Sequence, residues 1–149
     1  MKEVIAMHGW GGDSNTWQHW SEIFQENGWF WASGERGYGV IPPRMPTWTK
    51  LSHKRDGQRR VVIGHSLGPH LLQESILQEA TDLVFICSFS RFVPKGVKSN
   101  YLKNALKSMQ KDLGSPNEAI MLKKFLNKAC QPERLSPLPA GPITEGISS

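Results

Sequence analysis

The chain has 149 residues, with 18 Lys and Arg against 13 Asp and Glu, for a formal net charge of +5. That length admits one domain with a sizeable core. No apolar run approaches the ~18 residues of a membrane span, and the chain opens on a strand rather than a secretory leader. Cys87 and Cys130 show neither a metal-binding spacing nor a dense disulfide framework. A reducing, cytoplasmic setting is therefore expected.

Residues 3–7 form a short apolar strand that ends at His8-Gly9-Trp10-Gly11-Gly12-Asp13. A helix is predicted over about 14–27, capped by Asp13 or Ser14 and closed by Gly28. Trp17, Trp20 and Phe24 recur at helical spacing and read as one core-facing stripe. A strand at 29–32 comes next, and residues 33–58 are a Gly-, Pro- and charge-rich loop with at most a short helix near 47–54. Strand 60–64 runs into His65-Ser66-Leu67-Gly68, then a helix to about 79 and a strand at 83–87 holding Cys87. This alternation argues an α/β fold with a parallel sheet. From about 98 the pattern is helical only. Leu102, Ala105, Leu106, Met109 and Leu113 make an apolar stripe, and Ser115-Pro116-Asn117-Glu118 reads as a capping box opening a helix to about 129. The Pro- and Gly-rich tail 131–149 reads as irregular.

Two of these segments carry chemistry. Gly64-His65-Ser66-Leu67-Gly68 is G-x-S-x-G between a strand and a helix, where a serine on a tight turn is forced outward at the positive end of the helix. Gly64 and Gly68 are needed because a Cβ at either position would collide with the neighbouring strand or helix. A serine nucleophile also needs oxyanion donors. The backbone N–H of Leu67 and that of Trp10, on the glycine loop, are the candidates.

The sequence resembles the α/β-hydrolase superfamily over about residues 1–95. The segments HGWGGDSNTWQHW, ERGYG (35–39), GHSLGPHLL and SFSRFVP (88–94) are most similar to pimeloyl-[acyl-carrier protein] methyl ester esterases of biotin synthesis. The resemblance implies a three-layer α/β-hydrolase fold with strand order 29–32, 3–7, 60–64, 83–87. It implies Ser66 as nucleophile, Trp10 and Leu67 as backbone oxyanion donors, and carboxylic ester hydrolysis without metal or cofactor. On this reading residues 1–95 are the first half of the core and residues 96–149 a partial helical lid.

The catalytic base and acid are not evident. The family order places an Asp or Glu and then a His after the serine, yet His70, one turn into the following helix, is the last histidine in the chain. His8 reads as a shaper of the glycine loop, His19 belongs to the Trp-rich helix, and His53 to a basic loop. His65 sits within the elbow, with its side chain expected to point away from the reaction. Asp82 precedes its strand and so lies at the wrong end of the sheet, Cys87-Ser88 occupies the position after that strand, and Asp112 and Glu118 fall in the lid. The expectation is a sequence truncated after the start of the lid, with base and acid beyond Ser149 and little or no turnover as given. Strand 83–87 would then be an uncovered hydrophobic edge. The alternatives are a non-catalytic binding protein that keeps half of a hydrolase fold, or another α/β-hydrolase such as a thioesterase or general esterase.

Charge is unevenly spread. Residues 1–90 carry 8 basic against 9 acidic side chains, and residues 91–128 carry 9 against 2. Lys103, Lys107 and Lys111 recur at i, i+4, i+8 beside the apolar stripe. They suit either a solvated face or a docking surface for an acidic partner, and an acyl carrier protein is what the resemblance implies. No nucleic-acid motif accompanies the patch, and no membrane association is expected.

Overall fold

The computed structural model of the chain describes residues 1–50, 57–96 and 99–132. His53, the end of the predicted helix near 47–54 and most of the predicted tail lie outside the described residues. By internal contacts the chain divides into two compact units. One comprises Met1–Gly37 with Ile41–Phe89, and the other Tyr38–Val40 with the chain from Ser90 onward.

The first unit is built on strands β1 (Lys2–Met7), β2 (Phe30–Ser33), β3 (Arg59–His65) and β4 (Asp82–Ile86). They form an open, all-parallel sheet in the order β2-β1-β3-β4, the order that the resemblance implied. β1 is central and buried from Glu3 to Met7 because both of its faces are covered. Ile5 and Met7 pack with Val62, Leu72, Ile76 and Trp48 on one face. Val4 and Ala6 pack with Val61, Ile63 and Trp17 on the other. Each Val, Leu, Ile or Met among them contributes about 1.5–3 kcal/mol by leaving water. A strand buried on both faces therefore reads as a continuous apolar run rather than an alternation.

The helices differ in detail from expectation. The segment predicted as one helix over 14–27 begins with a 3-10 turn, Ser14–Trp17, and continues as α1 (Gln18–Glu26). Asp13 caps it by accepting from the Asn15 N–H at 3.0 Å. Trp17 is buried, while Trp20 remains 41% exposed. The predicted helix to about 79 is broken into α2 (Gly68–Leu71) and α3 (Glu74–Gln78), with extended backbone at Leu72 and Gln73. Leu71, Leu72, Ile76, Leu77 and Ala80 all pack on the same core. At ~100° per residue they would spread over roughly two-thirds of the circumference of one straight helix, so the break lets them converge.

Polar anchors hold the amino-terminal ends of the strands. Arg60 donates from Nε to Glu3 (3.2 Å), from Nη1 to Glu79 and from Nη2 to the Thr49 carbonyl (3.0 Å), and lies 5.2 Å over the Trp48 ring. Burial pushes the Glu3 carboxyl up, but hydrogen bonds from Thr49 and Arg60 and the Arg60 charge outweigh it, leaving the pKa below the usual range. Asp82 pairs with Arg59 through two 3.0 Å contacts at this same end, away from Ser66. At the sheet edge, Leu83, Val84 and Phe85 of β4 are 48%, 42% and 51% exposed. Cys87, expected inside a buried strand, lies past the end of β4 and is exposed.

The second unit contains α4 (Ser99–Asp112) and α5 (Glu118–Ala129), which pack on each other. The predicted capping box is shifted. α5 begins at Glu118, whose carboxylate accepts from the Gly114 N–H (2.6 Å), while Ser115 Oγ accepts from the Asn117 N–H (3.1 Å). Pro116 therefore sits in the connecting turn rather than in the first turn of the helix. Among the described residues no helix is long and apolar enough to cross a membrane.

Candidate active site

At the carboxyl end of β3 the chain reverses from strand into α2 within three residues. Ser66 takes up the reversal with φ +53°, left-handed backbone that a non-glycine residue adopts at a cost of about 1–3 kcal/mol. Such strain persists only where the surroundings over-determine it, and here they do. The Ser66 N–H donates to the Ile86 carbonyl at 2.9 Å, and the Ser66 carbonyl accepts from Ser88 Oγ at 2.7 Å.

Close backbone approaches fix the rest of the bend. A Cβ on Gly64 would lie 2.4 Å from Pro69 Cγ, and one on Gly68 would lie 2.3 Å from the Met7 carbonyl oxygen. The collisions expected from sequence are thus with α2 itself and with the end of β1. The loop after β1 reaches Ser66 directly, since a Cβ on Gly9 would stand 2.9 Å from Ser66 Cβ and 3.2 Å from His65 Nδ1. Gly11 turns this loop with φ +71°, and the Gly12 N–H closes it onto the Gly9 carbonyl at 3.3 Å. The segments carrying Trp10 and Leu67, the two predicted oxyanion donors, are therefore brought to the same end of the sheet as Ser66. His65 lies against Gly9. Burial first, and the nearby His8 second, hold its pKa below the usual imidazole value.

Beneath the glycine loop lies a buried polar cluster that the sequence did not single out. Glu35, only 2% exposed, accepts from the Ser14 N–H and the Gly37 N–H, each at 2.8 Å, and its Oε1 stands 3.2 Å from His8 Nε2. His8 Nδ1 donates to the Gly9 carbonyl at 2.8 Å. The Arg36 N–H also reaches His8 Nε2, at 3.2 Å, so a neutral ring accepts from Arg36 while a protonated ring donates to Glu35. Burial raises the Glu35 carboxyl, yet the hydrogen bonds from Gly37 and Ser14 and the His8 charge together bring its pKa below the ordinary carboxylate value. The cluster ties the loop after β1 to the loop after β2. The sequence held two unconnected traces of it, His8 as a shaper of the glycine loop and the ERGYG segment.

The remaining candidates occupy other positions. His70 donates from Nε2 to the Phe89 carbonyl at 2.6 Å, and its ring stacks on Phe89 with centroids 5.2 Å apart. It is an exposed residue engaged by a hydrogen bond and a ring stack. His19 is exposed on α1. Lys103, Lys107 and Lys111 are all exposed on α4, in the second unit. Among the described residues no three His, Cys, Asp or Glu side chains group as metal ligands would. Comparison of the chain with protein-family models, with curated protein sequences and with solved structures gives no match.

Proposed function

We propose that the chain carries the nucleophile and oxyanion-binding half of a serine ester hydrolase of the α/β-hydrolase type. The observation that carries this reading is the left-handed Ser66 on a strand–turn–helix bend, with the Gly9 backbone packed against its Cβ. In the proposed reaction Ser66 Oγ attacks the acyl carbonyl, and its proton passes to a general base from outside the described residues. The N–H groups of Trp10 and Leu67 hold the oxyanion, and the alcohol departs with the proton. Water then attacks the acyl-enzyme, releasing the acid and restoring the hydroxyl. Fixed donors aimed at a developing oxyanion are each worth about 2.7–4 kcal/mol in such reactions.

The substrate we favour is the methyl ester of a pimeloyl chain borne on an acyl carrier protein, hydrolysed in the cytoplasm during biotin synthesis. The basic stretch 91–128 supports an acidic carrier. Charge complementarity of this kind acts on association and weakens with salt. Replacing Lys103, Lys107 and Lys111 together by Gln is expected to weaken carrier binding at low salt, and unchanged affinity would return the stripe to a solvated face. Treating the chain with a fluorophosphonate and mapping the adduct tests the nucleophile. An adduct on Ser66, lost in Ser66→Ala, is expected. A folded chain that forms none would refute the reading and favour a non-catalytic binding role.

A further inference from the structure

The end of β4 and the residues that follow it are fastened to the bend at Ser66 from both sides. Ser66 is the sole residue of the bend with a positive φ, and each of its flanking peptide groups bonds to this segment. On the amino side the partner is a main-chain carbonyl, that of Ile86, which no substitution removes. On the carboxyl side it is a side chain, Ser88 Oγ, donating to the Ser66 carbonyl at 2.7 Å. Cys87, between them, is itself left-handed with φ +50°. Extended backbone would carry residue 88 onward along the strand, beyond the carboxyl end of β4, whereas with the turn at Cys87 the Ser88 hydroxyl reaches the Ser66 carbonyl. One residue further on, the Phe89 carbonyl and ring are held by His70 of α2.

From this arrangement we infer that Ser88 is a positioning residue, whose hydroxyl holds Ser66 in the left-handed conformation that presents its side chain toward the glycine loop. The peptide between residues 66 and 67 is the one Ser88 grips. It also bears the Leu67 N–H, so the same hydrogen bond orients a proposed oxyanion donor. The catalytic consequence rests on the proposed hydrolase reading, whereas the conformational one does not.

The test compares Ser88→Thr with Ser88→Val, which match in size and differ in the hydroxyl. Two readouts are taken on the folded protein. The first is the rate of fluorophosphonate labelling at Ser66. The second is the intraresidue amide-to-α-proton cross-peak of Ser66 by NMR, strong only when left-handed backbone brings those protons together. The Val variant is expected to label roughly ten- to a hundredfold more slowly, as misplacement by about an ångström does, and to lose intensity in the cross-peak. The Thr variant is expected to keep both. Equal rates and equal cross-peaks in the two variants would overturn the inference. So would failure of both to fold, which would assign the requirement to side-chain volume. If the unmutated chain does not label but the cross-peak still weakens in Val alone, the hydrolase reading falls and the positioning role stands.

Discussion

Gly68→Ala probes a close main-chain approach between α2 and the end of β1. The added methyl would stand 2.3 Å from the Met7 carbonyl oxygen, 3.0 Å from its carbon and 3.1 Å from the His8 carbonyl oxygen. All three are main-chain atoms, so no rotamer change relieves the contact, and Met7 is fully buried at the end of the central strand. Restoring ordinary van der Waals distance means separating β1 from α2 by about 1 Å, and overpacking on this scale costs about 1–3 kcal/mol. Alanine recovers at most about 0.5–1 kcal/mol of that through its helical preference. A net loss of about 1 kcal/mol is expected, which shifts a urea midpoint by roughly 0.5 M for a slope near 2 kcal/mol/M. Because the displaced strand end carries the glycine loop, labelling of Ser66 is expected to slow as well. Gly28→Ala is the control. Nothing stands within 4 Å of its Cβ and φ is +74°, so it is expected to cost about 1–2 kcal/mol through backbone strain without affecting labelling. A Gly68→Ala chain with an unchanged midpoint and labelling rate would refute the packing argument.

Three further substitutions test other parts of the account. Glu35→Gln removes a charged acceptor from two N–H groups and is expected to cost about 1.5–3 kcal/mol by urea denaturation. Because the folded pKa of Glu35 is lowered, its stabilisation is full above the ordinary carboxylate pKa and is lost as pH falls through the depressed folded value. The acid limb of the stability profile should therefore flatten in Glu35→Gln, and an unaltered limb would count against the cluster. Arg60→Met strands Glu3, 4% exposed, without its cation, and a loss of about 3–5 kcal/mol is expected together with a rise in the Glu3 pKa followed by NMR titration. Val84→Lys charges the exposed edge strand and is expected to reduce self-association in sedimentation experiments, with stability altered by no more than about 0.5 kcal/mol. Equal association in both proteins would show that the edge is not adhesive.

What could be read from the sequence was local. The run Val4-Ile5-Ala6-Met7 announces a short apolar strand, and Gly64 through Gly68 announce a bend, because neighbours along the chain impose the constraint. The break at Leu72 and Gln73 carries no Gly or Pro, and arises from where the core lies rather than from propensity. The shifted start of α5 turns on which N–H Glu118 reaches, a choice that the S-x-x-E spacing leaves open. The site followed the same rule. Ser66, Gly9 and Gly68 were legible as a motif and a loop, but Glu35 bonds to residues 21 and 27 positions away and Ser88 to one 22 positions away. Pairings at that separation are decided by sheet order, which brings the ends of β1, β2, β3 and β4 together.

The most direct measurement is the crystal structure of the chain after reaction with a fluorophosphonate. The account predicts phosphorus bonded to Ser66 Oγ, Ser66 still left-handed, and the phosphoryl oxygen within about 3 Å of both the Trp10 and the Leu67 nitrogens. An oxygen turned to solvent with those amides unoccupied, or Ser66 unmodified in an intact fold, would contradict it.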